Sequence, residues 1–300
     1  MTLLLFALGC QNPTLWPESP PASPCATDAL PAGESLLRLA HAGKQRAGLV
    51  WAPRAAGPRD LVVNLHEHRS EPRRQAHYSG WVAAAEALGV LLLAPDGSSS
   101  TWNAGGGCCG KAAEKDAKDA EFLEFAAERV ATTGCASGRV LATGIGNGAM
   151  MAHRWACTSD AVDAVISVGG ALQLDDCPIA RPIPVVHYHG DQDQLYPLGG
   201  GNAFDHGQGS PRPEADALAA WKVRNRVHGE PVRHEQGALR CDRWTGDAPL
   251  VWCTVVGMAD LWPGAAGWPA DPSDPLSDAT QGAFTSVVRP YWDAHPSPTP

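Results

Sequence analysis

Residues 139–157 run Arg-Val-Leu-Ala-Thr-Gly-Ile-Gly-Asn-Gly-Ala-Met-Met-Ala-His-Arg-Trp-Ala-Cys, and this stretch constrains the fold more than any other. A short apolar run, Val140 to Thr143, meets a Gly-x-Gly-x-Gly turn and passes at once into small and apolar residues at helical spacing. A strand that turns this sharply into a helix presents its apex residue at the end of a sheet. In the form Gly-x-Ser-x-Gly that apex carries an attacking hydroxyl. Gly144 and Gly148 stand where the flanking glycines belong, but the central position is Gly146. The stretch specifies an architecture and lacks the group that would do the chemistry.

The rest of the chain alternates in the same sense. An opening hairpin is predicted over Ser35–Ala40 and Arg46–Trp51, then a buried strand, Leu61–Leu65, that delivers His66, Glu67 and His68 at its C-terminal end. A helix over about Ser79–Leu88 and a strand over Val90–Ala94 lead into a Gly/Ser-rich loop, 97–110, with Trp102, Asn103 and the adjacent Cys108 and Cys109. Apolar residues at three- and four-residue steps predict an amphipathic helix from Lys115 to Val130. Strands over Ala164–Val168 and Pro184–His189 follow, the second ending in His189-Gly190-Asp191-Gln192-Asp193. A helix over Ala215–Val227, paired strands at Cys241–Trp244 and Val251–Val256, and a closing helix over Thr280–His295 complete the pattern. Such alternation makes a parallel sheet covered by helices, with functional groups at the C-terminal ends of its strands.

A chain of 300 residues at 44% hydrophobic composition is long enough for one large α/β domain. Its net charge of -9, with no basic block, excludes nucleic acid or an anionic membrane surface as the main partner. Nine cysteines without paired C-x-x-C spacing fit an oxidising compartment. Export is the matching expectation: residues 1–10 read as a signal segment whose apolar run ends in Ala7-Leu8-Gly9-Cys10, the small-residue-then-Cys pattern of bacterial lipoprotein processing. No Lys or Arg precedes that run, and it is short. Lipidation of Cys10 leaves eight cysteines, and the lipid is the expected membrane contact, because no later apolar run reaches the ~18 residues of a spanning helix. Residues 11–34 read as a proline-rich tether, 35–296 as the folded domain and 297–300 as a disordered tail. Disulfides are predicted for Cys157–Cys177 and Cys241–Cys253, each pair bracketing one supersecondary unit. Cys25, Cys108, Cys109 and Cys135 then form two more bonds, with Cys108 and Cys109 expected to take different partners because a ring that small strains the peptide between them.

Several motifs taken together resemble one family. These are Leu65-His66, Trp102-Asn103-Ala104-Gly105 with Cys108-Cys109-Gly110, Gly144 to Cys157, His189-Gly190-x-x-Asp193 followed by Gly199-Gly200, and Trp262-Pro263-Gly264. Over residues 35–296 the chain resembles the secreted esterases grouped as polyhydroxybutyrate depolymerases and feruloyl esterases. The resemblance implies an α/β-hydrolase fold, a mostly parallel central sheet with helices on both faces. It also implies a site made of an elbow Ser, an Asp three residues after the His-Gly pair, and a His two residues before Trp-Pro-Gly. Carried over position by position, the Asp is present as Asp193, the Ser is Gly146 and the His is Asp260. The turn after Leu-His, a Gly that helps shape the oxyanion hole in the family, is Glu67.

Acyl transfer needs a nucleophile, a base beside it and a group that orients the base. Gly146 supplies no nucleophile, and Asp260 cannot bridge a hydroxyl and Asp193 as an imidazole does, since two nearby carboxylates resist joint ionisation. The backbone N–H of Asn147 needs no side chain, so half an oxyanion hole is expected to persist as a site for a carbonyl or anion. Gly146 also has a purely conformational reading, because glycine escapes the ~1–3 kcal/mol strain of an elbow apex. Asp193 reads equally well as a turn former, the tryptophans as packing, and His66, His153, His187 and His189 as structural, so no metal or cofactor is expected. Two functions follow. The first is a non-catalytic binding or accessory protein holding an ester-, aryl- or carbohydrate-type ligand. The second is a hydrolase using water held between Asp193 and Asp260, or a cation gathered by Glu67, His68, Asp193 and Asp260.

Overall fold

In the computed structural model the described residues are 30–54, 59–134, 136–201, 210–265, 268, 271 and 273–296. The expected signal segment with Cys10, tether residues 11–29 with Cys25, Cys135, and the tail 297–300 lie outside them.

The strands are β1 (Gly33–His41), β2 (Lys44–Ala52), β3 (Arg59–Leu65), β4 (Leu91–Pro95), β5 (Ala136–Ile145), β6 (Ala164–Val168), β7 (Val185–Gly190), β8 (His228–Gln236), β9 (Leu239–Thr245) and β10 (Leu250–Val255). They form a single sheet in the order β1-β2-β4-β3-β5-β6-β7-β10-β9-β8. From β4 to β10 every pairing is parallel. The hairpin β1–β2 and the pair β9–β8 close the two edges in antiparallel register. Strands inside the parallel block are buried on both faces, as the fully buried Leu91–Pro95, Ala164–Val168 and Val185–Gly190 show, which is why they read as unbroken apolar runs.

Helices α1 (Pro72–Tyr78), α2 (Trp81–Leu88), α3 (Gly110–Glu114), α4 (Asp119–Gly134), α5 (Asn147–Thr158) and α6 (Glu214–Arg224) connect the strands. On one face of the sheet α4, α5 and α6 pack Phe122, Trp155 and Trp221 against Leu61, Val63 and Leu65. On the other, α2 and the closing helical stretch Gln281–Ala294 pack Trp81, Phe284 and Trp292 against Val62, Val186 and Tyr188. This is an α/β-hydrolase fold. Trp244, Trp252 and Trp262 are buried in these two cores, as packing residues.

Several boundaries differ from the sequence reading. Gly33 and Glu34, assigned to the tether, pair with Ala52 and Trp51 in β1. The helix expected from Lys115 starts at Asp119, because Asp116 takes a left-handed φ of 44° that ends α3 and breaks the run. The closing helix contains a π turn at Phe284–Val288. Strand β8 went unrecognised: it carries Pro231 and exposed polar residues along most of its length, as an edge strand does.

Cys157–Cys177 and Cys241–Cys253 are bonded, with S–S distances of 2.03 and 2.01 Å. The expectation for Cys108 and Cys109 is corrected, since they are bonded to each other. Their connecting peptide is cis and brings the Cα atoms to 3.0 Å, with both sulfurs buried against Met150 Sδ. Among the described residues no helix is long and apolar enough to cross a membrane.

Candidate functional site

The turn between β5 and α5 places Gly146 at its apex with φ 52° and ψ -118°, a conformation that favours glycine. The apex N–H donates to Val168 O at 2.9 Å, which fixes the turn between β5 and β6. Packing beneath it is at backbone contact: a Cβ on Gly148 would stand 2.2 Å from Leu65 O. Small residues here let α5 lie directly on β3, so the apex faces the loop that follows β3.

That loop carries the residue that decides the site. A Cβ added to Gly146 would lie 1.5 Å from Glu67 Oε2 and 2.3 Å from its Cδ. The Glu67 carboxyl group therefore fills the space that any side chain at position 146 would need. Its Oε1 accepts from the backbone N–H of His68 at 2.6 Å, the backbone N–H of Asn147 at 3.2 Å and Tyr196 Oη at 2.8 Å. Backbone donors at the start of α5 are what an oxyanion would use. The expected vacant half-hole at Asn147 is accordingly not vacant: a carboxyl group of the same chain holds it.

Asp260 and Asp193 lie close to this group. A Cβ on Gly169 would be 2.4 Å from Asp260 Oδ1 and 3.5 Å from Asp193 Oδ2, so both carboxylates converge on that glycine. Burial pushes the Asp260 carboxyl well up, and the Glu67 and Asp193 charges and a hydrogen bond to Glu67 add to the effect. Burial likewise raises Glu67 to about 7 against its donated hydrogen bonds, with Asp193 raising it further. Like charges this close cannot both ionise cheaply, so the two carboxyl groups push each other's ionisation upward. Glu67 Oε2, Asp193 Oδ2 and Asp260 Oδ1 are all buried without a donor of their own, a cost that favours protonation within the group.

Asp193 Oδ1 accepts from the backbone N–H groups of Leu195 and Tyr196, at 2.8 and 2.9 Å, the bonding of a turn former. Its Oδ2 stands 3.3 Å from His189 Nε2. His68 enters the site through its backbone amide, while its ring lies beside Gly110, whose Cβ would meet it at 3.1 Å. The Asn147 side chain clamps the 97–110 loop through Trp102, accepting its N–H at 2.7 Å and donating to its carbonyl at 3.0 Å. His66 is fully bonded, its Nε2 accepting from Gly97 N–H at 2.8 Å. Sequence reasoning missed Tyr196, whose hydroxyl reaches across from beyond the Asp193 turn; nothing in local spacing marks it. It also missed that His187, His189 and Glu214 bring one donor atom each within 4.8 Å of one another, the three-ligand cluster found among the described residues.

Comparison with known proteins agrees with this fold. No protein-family model matches the chain. NocK of Nocardia uniformis subsp. tsuyamanensis, a protein provisionally named an esterase, is 27% identical over 267 residues, covering 81% of this chain and 75% of its own length. The chain is similar in sequence to this esterase. A second relative, feruloyl esterase B of Piromyces equi, is 25% identical over 226 residues, and the match spans 69% of this chain but 41% of that protein. The acetyl xylan esterase of Aspergillus awamori shares the fold, with a TM-score of 0.58 at 14% identity over 75% of this chain and 94% of its own.

Proposed function

We propose that this esterase homologue has lost serine esterase chemistry and works as an exported, lipid-anchored binding or accessory protein. One observation carries the reading: the Glu67 carboxyl group occupies both the nucleophile's space and the Asn147 backbone donor. A carbonyl oxygen approaching the elbow meets acceptors where it needs donors. A buried carboxyl–carboxylate pair offers one donor and several acceptors, a pattern suited to hydroxyl groups. Of the ester-, aryl- and carbohydrate-type ligands, a carbohydrate is therefore the best match. Three disulfides among the described residues are compatible with export, and the Cys10 signature supplies the anchor.

A second reading rests on the same pair. Glu67, raised to about 7, and Asp260 together form an acid–base dyad able to activate water. The two separate on short-chain nitrophenyl and feruloyl esters with the native protein. The binding reading expects no turnover above buffer and no labelling by a fluorophosphonate probe. A carboxyl dyad expects turnover that resists the probe and disappears in Asp260→Asn. Turnover with covalent labelling of a serine would overturn both.

A further inference from the structure

On the opposite side of β7 from Tyr188 lies a second cluster that the elbow does not use. His187 and His189 are two residues apart on one strand, so both rings project to the same face, where the first turn of α6 brings Glu214. His187 Nε2 is 3.4 Å from His189 Nδ1 and 3.5 Å from Glu214 Oε1, and His189 Nδ1 is 3.7 Å from Glu214 Oε2. The edge of a tetrahedron around zinc is about 3.4 Å when its metal–nitrogen bonds are about 2.05 Å. The three donors already stand close to that spacing.

The outer atoms of both rings are held as metal-bound histidines require. His189 Nε2 lies 2.8 Å from Tyr196 O, a pure acceptor, so the proton sits on Nε2 and the Nδ1 lone pair faces the cluster. His187 Nδ1 lies 2.8 Å from Ser167 Oγ; a proton on Nδ1 donated to that hydroxyl leaves the Nε2 lone pair facing the cluster. Asp193 Oδ2, 3.3 Å behind His189 Nε2, adds a carboxylate behind the ring. Glu214 is oriented by Trp252 Nε1–H, which donates to Oε1, and the His187 ring stacks on Trp252 at 4.1 Å. One shared proton satisfies one of these facing pairs; a cation satisfies all three. His153 stays outside, since its Nδ1 accepts from Trp221 Nε1 at 3.0 Å and its proton is therefore on Nε2. A surface cavity of about 440 Å³ is lined by Glu214, Leu218, Trp244 and Trp252. Ser167 is fully buried in mid-strand and is not among the residues lining that cavity, so Ser167, His187 and Glu214 do not make a displaced serine triad.

We infer that His187 Nε2, His189 Nδ1 and the Glu214 carboxylate form a binding site for one divalent transition ion of the zinc type. The inference is independent of the elbow and stands or falls apart from the reading of Glu67.

The test uses the full chain without an affinity tag, stripped with chelator and titrated with Co²⁺, then displaced by Zn²⁺. The expected result is one equivalent bound, with the strong visible bands of low-coordinate Co²⁺, and movement of the ring nitrogen signals of two histidines in a ¹⁵N spectrum on adding Zn²⁺. Glu214→Gln, which keeps size and the Trp252 bond, is expected to weaken binding by more than the roughly 10–100-fold that loss of an outer-shell partner costs. Ser167→Ala is expected to fall within that range. Binding of less than one equivalent, a six-coordinate spectrum, or an affinity unchanged in Glu214→Gln would overturn the assignment. The Co²⁺ and ¹⁵N spectra of the native chain decide it even where a variant fails to fold.

Discussion

Glu67 is the residue on which the site turns. Its carboxyl fills the space a side chain at position 146 would take and accepts from the Asn147 N–H, so one residue at the turn after β3 governs both. Because its folded pKa of about 7 lies above its ordinary value of 4.5, the folded protein holds an extra proton between those pH values. Stability therefore falls as pH rises from about 4.5 to about 7 and is level above that. Glu67→Gln keeps the bonds from His68, Asn147 and Tyr196 and offers its amide to Asp260. It is expected to be more stable than the native chain at pH 8 by about 1–3 kcal/mol, with the difference closing near pH 4, as read by urea unfolding at both pH values. Equal stability at pH 8 would mean that the carboxyl is not confined as described. From sequence alone Glu67 reads as an unfavourable charge near an oxyanion hole. That its side chain folds back over Gly146 depends on the path of the loop after β3, which no local pattern encodes.

At the level of elements, the elbow depends on α5 lying in backbone contact with β3. Gly148→Ala would drive a methyl group to 2.2 Å from Leu65 O and is expected to cost at least about 2 kcal/mol, measured as a lowered Tm. A neutral outcome would place α5 farther from the sheet. The bond between Cys241 and Cys253 joins residues directly opposed on β9 and β10, with a sequence separation of 12. Replacing both by serine is expected to cost about 3 kcal/mol from the loop freed in the unfolded chain, and Cys157→Ser with Cys177→Ser a similar amount. These elements were legible because their signals are local: glycine spacing at the elbow, apolar runs in the buried strands, cysteines bracketing a hairpin. Strand β8 was not, since an edge strand with Pro231 and alternating charges has no apolar run to announce it. Nor was the His187–His189–Glu214 cluster, because Glu214 reaches β7 from a helix that begins well after the strand ends.

For the whole molecule, an α/β-hydrolase fold carries a buried network of acids, Glu67, Asp193 and Asp260, around its elbow. Asp193 survives with two uses that need no triad, capping its own turn and backing His189. Restoring Ser and His in Gly146→Ser/Asp260→His leaves Glu67 against the new side chain, so the double variant is expected to stay inactive and to lose stability. The decisive measurement is the initial rate of p-nitrophenyl acetate hydrolysis by the native chain, that double variant and the triple variant that adds Glu67→Gly. Clearing the donors that Glu67 holds predicts a triple variant at least about 100-fold faster than the double, with the native chain at the buffer rate. A double variant as fast as the triple, or a native chain as fast as either, would contradict the claim that Glu67 closes the site.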